Sequence, residues 1–178
     1  LEVAGFNAPC RTIGGDYYDF FEMDDGRLMA VVGDVAGKGM PAALLMANLQ
    51  ARVQLLSEEC RDVACMVTKL NRALALHCPI NRFITFFACS VNPWTGAVAY
   101  GNAGHNPPLI ARTTGETDVL NQGGLILGIQ PSASYAQYFT RLNPGDVLLL
   151  YSDGVTEATD AGLDGEGEDF GVTRLAGI

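Results

Sequence analysis

Apolar residues recur at helical spacing in only one part of the chain. After Pro41, which suits the first turn of a helix, Ala43, Leu44, Met46, Ala47, Leu49, Val53 and Leu56 keep that spacing up to Glu58 and Glu59. A second helix is expected from Asp62, as N-cap, through Val63, Met66, Val67, Leu70, Leu74 and Leu76, ending before Pro79. On both sides the pattern changes to short β-like runs: YYDFFEM, RLMAVVGD, FITFFACSV, AVAYGNA, AQYFTRL and VLLLYSD. Turn formers separate them, at Asp24-Asp25-Gly26, at 92–96 with Pro93 inside, and at Asn143-Pro144-Gly145-Asp146. Links this short allow antiparallel hairpins and not the helical crossovers of a parallel sheet. The expected class is therefore α+β, with antiparallel sheets covered by helices. The Gly- and acid-rich stretch 160–169 is expected to be a mobile surface loop.

The 178 residues, 48% of them hydrophobic, suit a single domain over 1–178 with a real core. The longest apolar runs, PAALLMA, LMAVVG and VLLLY, fall far short of the ~20 residues a membrane helix needs. No membrane contact is expected from this domain, and the compartment read from composition is the cytoplasm. The first residue is Leu1 and not Met, so the chain is expected to begin inside a longer protein. Eleven Lys and Arg face 20 Asp and Glu, a net charge of −9, and the cations are scattered. That excludes the clustered positive surface a nucleic-acid binder needs. The carboxylate excess fits either a holder of divalent cations or an ordinary acidic surface. Cysteines at 10, 60, 65, 78 and 89 form no CxxC pair and read as reduced thiols, with neither a disulfide framework nor a zinc site indicated.

Three aspartates stand where an apolar strand runs out beside glycine: Asp16 in TIGGDYYDF, Asp34 in LMAVVGDVAGKG and Asp153 in VLLLYSDGVTE. Carboxylates at the ends of rigid strands can converge on one point, and oxygen-only donors suit Mg2+ or Mn2+ and not zinc. Each alone is equally a turn former or N-cap. Asp34 and Asp153 each follow four or more apolar residues, where a lone carboxylate is costly without a cation or hydrogen bonds. Strand alternation separates Asp16 from Asp19, and the preceding Gly14-Gly15 favours Asp16 because it permits close backbone approach. GDVAGKGMPAALL is not a P-loop: three residues separate Gly33 from Gly37, and Gly39 stands where a magnesium-binding Ser or Thr belongs. Lys38 meets an anion or is simply solvated. His105, in the stiff turn YGNAGHNPPLI, suits a proton relay, or else joins Asn102 and Asn106 in holding the loop to itself. His77 reads as structural. No GxSxG elbow or Cys/His pair supports nucleophilic catalysis.

GGDYYDFF, VVGDVAGKGMPAALLMA, NAGHNPPL and LLLYSDGVTEA occur in that order, and together they resemble the PPM-type serine/threonine phosphatases of the bacterial SpoIIE/RsbU branch. The similarity runs from about Asp16 to Leu175, with DFGVTRL matching a helix after the acidic loop. It implies an α-β-β-α sandwich and two Mn2+ or Mg2+ ions. Asp16 and Asp34 would be ligands, Val35 would offer its backbone carbonyl, and Asp153 would bind the second ion. A water between the ions would attack phosphorus in line, without a phosphoenzyme. Where the eukaryotic branch has a leaving-group His, this chain has Ala36. His105 is the candidate acid in its place, and Arg11, five residues before Asp16, is the candidate phosphate-binding residue. The family's C-terminal DDxT-like motif has no counterpart before Ile178, so the chain is expected to be truncated there and to bind its second metal poorly.

The resemblance also implies a phosphorylated protein substrate, in this branch usually a STAS-type anti-anti-sigma factor. An upstream sensor or regulatory domain is implied as well, acting through the helix from Pro41 and its residues Met46 and Leu49. Two other functions compete. One is a non-catalytic signalling module that keeps the fold and binds a partner. The other is a two-metal phosphodiesterase, which the acidic balance disfavours.

Overall fold

The computed structural model describes residues 1–8, 14–76, 82–159 and 168–177. Five antiparallel strands form one sheet in the order β1-β2-β3-β4-β7: β1 (Tyr17–Glu22), β2 (Leu28–Val35), β3 (Ile84–Val91), β4 (Ala97–Ala103) and β7 (Tyr138–Arg141). Three short strands, β5 (Leu109–Ala111), β6 (Thr117–Val119) and β8 (Val147–Leu149), form a second antiparallel sheet in the order β6-β5-β8. The two long helices, α1 (Met40–Glu59) and α2 (Val63–Ala75), lie between β2 and β3 in sequence. Two short ones, α3 (Asp153–Thr156) and α4 (Gly171–Ala176), follow β8.

Side-chain alternation sorts the five-stranded sheet into two buried faces. Met29, Val31 and Val35 of β2, with Ile84, Phe86 and Ala88 of β3, meet Leu49, Val53, Val67 and Leu70 of the long helices. The alternate residues, Val32, Phe87, Cys89, Val98 and Tyr100, pack on Ile110, Leu120 and Leu148 of the smaller sheet's side. Leu109, Tyr151 and Leu175 make a third cluster, with Phe170 and Ala176 against it, between the smaller sheet and α4. The layers are thus helix, sheet, sheet, helix, the α-β-β-α order that the family resemblance implies and a form of the α+β class read from the turns.

Local chemistry explains the element ends. Asp62 accepts a hydrogen bond from the Cys65 amide at 2.7 Å and caps α2 as expected. Pro41 sits in the first turn of α1. The N-cap of α1 is Gly39 at φ 76°, a left-handed conformation that glycine adopts without strain, and it lets the chain turn sharply out of β2. Asn71, fully buried in α2, donates to the Gln130 carbonyl at 2.8 Å and accepts from the Gly128 amide at 3.0 Å. It thereby ties the helix layer to the long 120–137 connection. Cys60 and Cys65 are free thiols whose sulfurs lie 2.9 Å apart at the α1–α2 junction, and Cys89 is free and buried. Trp94, in the turn joining β3 and β4, is 74% exposed and lies over Gly26 of the turn joining β1 and β2. No helix among the described residues is long and apolar enough to cross a membrane. His77 and most of the 160–169 stretch lie outside the described residues.

Candidate metal centre

β1 and β2 pair with Tyr17 opposite Gly33, so continuing the register by one residue sets Asp16 opposite Asp34. Alternation turns both toward the space between the sheets, the side that also buries Val32. Asp19 takes the opposite face, where Tyr17 and Gln54 of α1 hydrogen-bond its carboxylate at 3.2 and 3.5 Å. Asp16 is therefore the β1 aspartate that joins Asp34. Asp153 arrives from the other sheet's side: β8 runs out at Leu149, and Asp153 opens the single turn α3, exposed except at Thr156.

Asp34 records the convergence electrostatically. Burial, the Asp16 charge and then the Asp153 charge raise its carboxyl from 3.8 to about 6, with a hydrogen bond to Asp16 and the Glu157 charge adding to the effect. A half-buried carboxyl with three others near it carries a negative field that a divalent cation would relieve. The Val35 carbonyl oxygen lies beside Gly15, the residue before Asp16. A Cβ on Gly15 would stand 2.8 Å from the Val35 carbonyl oxygen, so only glycine lets the residue before Asp16 lie against that carbonyl. Among the described residues, no three His, Cys, Asp or Glu side chains are arranged to hold a metal ion as they stand.

The loop after Val35 is fixed by the residues just before β3. Arg82 donates to the Ala36 carbonyl at 2.7 Å, and its guanidinium fills the space where a Cβ on Gly37 would be. The Ala36 amide donates to the Phe83 carbonyl at 2.9 Å. Lys38 is exposed at the mouth of the groove between the sheets, which Asp16, Asp34, Asp153 and Glu157 also line.

His105 is 4% exposed, and its two ring nitrogens are both engaged. Nδ1 lies 2.9 Å from Thr85 Oγ1, and Nε2 lies 3.0 Å from the Tyr151 carbonyl oxygen. A carbonyl only accepts, so Nε2 carries the proton and Nδ1 accepts from the Thr85 hydroxyl. Burial pushes the imidazole below its usual pKa against the opposing pull of the Tyr151 carbonyl and the Asp153 and Asp16 charges. Asn102 holds the turn, accepting from the His105 amide at 2.7 Å and donating to its carbonyl at 3.0 Å. The Asn102–His105 bonds hold the turn to itself, while the ring reaches outside it to Thr85 and Tyr151. A proton relay would need one of those nitrogens released. Arg11 lies outside the described residues.

Sequence reasoning passed over Thr85, Arg82, Glu157 and the Tyr151 carbonyl. Thr85 had a signal, being the one hydroxyl in the apolar run FITFF on the alternation that faces the other sheet. Glu157 had one too, four residues after Asp153 and so one helical turn away. Arg82 and a backbone carbonyl had none.

The chain matches the family model described as Stage II sporulation protein E (SpoIIE) over residues 24–177. It is 33% identical over 158 residues to phosphoserine phosphatase RsbU of Bacillus subtilis (strain 168), covering 88% of this chain and 47% of that protein. Among solved structures it is similar to the RsbU and RsbW domains of Rv1364c from Mycobacterium tuberculosis, with a TM-score of 0.75 at 28% identity over 89% of this chain and 44% of that one. The SiaA-PP2C domain of Pseudomonas aeruginosa shares the fold with a TM-score of 0.79 at 22% identity, covering 94% of this chain and 66% of that one. The chain spans about half the length of RsbU, and less of the other curated relatives it matches.

Proposed function

Because the chain belongs to the SpoIIE family of PPM-type phosphatases, we propose that it is the metal-dependent domain of a protein serine/threonine phosphatase, acting on phosphoserine or phosphothreonine of a regulatory protein. The observation that carries this reading is the opposed pair Asp16 and Asp34, with Asp153 near them; burial and then these neighbouring charges raise Asp34 to about 6. The donor set is oxygen only, which fits Mn2+ or Mg2+. Asp16, Asp34 and the Val35 carbonyl would hold one ion, and Asp153 would take part in holding a second. Such ions supply a nucleophilic water at neutral pH and offset charge developing on the phosphoryl group. The chain's own residues set the stage: Gly15 admits the Val35 carbonyl, and Arg82 fixes the loop behind it. Lys38, exposed and lining the same groove, is a cation available to a phosphate. With Ala36 in the second motif and both His105 nitrogens engaged, the proton for the departing serine oxygen comes from solvent. Arg11, which precedes the Gly14-Gly15 turn, is proposed to meet the phosphate.

The name of phosphoserine phosphatase RsbU supports a phosphoserine substrate, and the resemblance suggests a STAS-type anti-anti-sigma factor, with regulation by an attached sensor reaching the site through α1. Incubating the intact protein with a phosphoserine STAS protein should release phosphate only when Mn2+ or Mg2+ is present. Asp34→Asn should lower the rate by about 100-fold or more, since even groups one bond removed from a metal ligand cost 10–100-fold. Release that survives Asp34→Asn would defeat the metal mechanism. A second reading, a non-catalytic partner-binding module, is favoured by one observation, the lack among the described residues of three donors already set to hold an ion. It predicts binding of the phosphoprotein without hydrolysis at any metal concentration.

A further inference from the structure

At the carboxylate cluster one side chain, His105, bonds both the five-stranded sheet and the segment leaving β8, and the connection can be followed atom by atom. Asp34 pairs directly with Thr85 across the β2–β3 ladder, and both side chains face the other sheet. The Thr85 hydroxyl bonds His105 Nδ1 at 2.9 Å. The opposite edge of the same ring bonds the Tyr151 carbonyl at 3.0 Å, and Asp153 lies two residues beyond. The ring itself is set rigidly, since Asn102 clamps both backbone polar groups of His105. From this geometry we infer that His105 is a positioning residue, which fixes the Asp153 carboxylate relative to Asp34 by bridging the five-stranded sheet to the segment leaving β8.

The inference rests on the proposed metal reading of Asp16, Asp34 and Asp153 and adds a task for a residue that holds no ion. Its physical basis is that the Asp153 side chain stands at the exposed start of α3, whose buried residue, Thr156, comes a turn later. Asp153 and the two residues after it are exposed, and the N-cap Ser152 makes no capping hydrogen bond with its side chain. Two charged groups on different sheets are set at a useful separation only if something rigid spans the gap. An imidazole with both nitrogens bonded is a rigid spacer, with no free torsion between its two partners once both bonds are made.

His105→Ala would empty a buried site and risks unfolding the protein, so the test acts on the far end of the bridge. Thr85→Val removes the hydroxyl at nearly constant volume, and Thr85→Ser restores it. Two measurements on the intact protein are needed: Mn2+ affinity from the electron paramagnetic resonance of free Mn2+, and hydrogen exchange of the 151–155 amides in the metal-free protein. Thr85→Val should weaken Mn2+ binding about 10-fold or more and speed exchange at 151–155, while Thr85→Ser behaves as wild type in both. A role limited to general stability would lower the melting temperature while leaving Mn2+ affinity intact, and that result would overturn the inference. So would unchanged exchange at 151–155, since an effect confined to Asp34 does not cross the ring. If the wild-type protein binds no Mn2+, the metal reading itself fails, and the exchange data alone decide whether His105 holds Asp153 in place.

Discussion

Asp34 is more than a candidate ligand, because its position destabilises the protein that presents it. In the metal-free fold its carboxyl is raised to about 6, chiefly by burial and then by the Asp16 and Asp153 charges. Unfolding frees the group to ionise near 3.8, so between about pH 4 and 6 the native state holds a proton that the unfolded state has given up. The protonated group's contribution is fully present below pH 3.8 and is lost as the pH rises through 6. Asp34→Asn should accordingly raise the melting temperature of the metal-free protein at pH 7.5, by a few degrees at about 2–4 °C per kcal/mol for a chain of this size. The same variant should gain nothing from added Mn2+. A thermal melt with and without the ion checks both. Gly15→Ala makes the opposite prediction: its Cβ would meet the Val35 carbonyl oxygen at 2.8 Å. It should cost about 1–3 kcal/mol and weaken Mn2+ binding together, as the backbone beside Asp16 is pushed off Val35. The choice of Asp16 over Asp19 was legible in strand alternation and in the glycines before it, whereas its place opposite Asp34 follows from the β1–β2 register. What His105 touches was not legible, because Thr85 and the Tyr151 carbonyl come from segments 20 and 46 residues away.

The elements with strong periodicity follow the sequence closely. Helix α2 begins after its Asp62 cap, and α1 spans the run opened by Pro41. The second sheet is where sequence reading fell short. Strands β5 and β6 have three residues each, too few to show a period of two, and β8 retains only Val147–Leu149 of the run VLLLYSD. Those strands exist because the buried residues of the larger sheet need a partner layer, a demand set by packing and not by local pattern. The 120–137 connection likewise has little regular structure and depends on Asn71. Asn71→Ala would leave the Gln130 carbonyl and Gly128 amide without their buried partner, a loss of about 2–4 kcal/mol. The expected result is a melting temperature lower by roughly 5–15 °C with Mn2+ affinity preserved. A parallel fall in both would mean that this connection helps shape the site.

Across the molecule, the apolar layers between the sheets are closed by polar ties at both ends. His105 spans the sheets at the carboxylate end. At the other end Arg112, just past β5, bonds Asp118 at 2.9 Å, Asp146 at 2.7 Å and the Arg141 carbonyl of β7 at 2.7 Å. The Asp146 carboxyl is held down at about 2, first by the Asn143 amide and then by Arg112. Its contribution is present above the unfolded value of 3.8 and is lost as the pH falls toward 2, so Asp146→Asn should flatten the acid limb of the stability curve. Comparing acid titrations of the two proteins by circular dichroism checks this. Trp94 sits at this same remote end, beyond Val91, whereas Thr85 stands beside Asp34 at the start of the same strand. At ~3.4 Å per residue the indole is roughly 20 Å or more from the carboxylates. It is the one tryptophan in the chain and is already 74% exposed. Native fluorescence should therefore be red-shifted before any denaturant is added and should stay constant as Mn2+ binds, so a silent emission spectrum says nothing about an empty site.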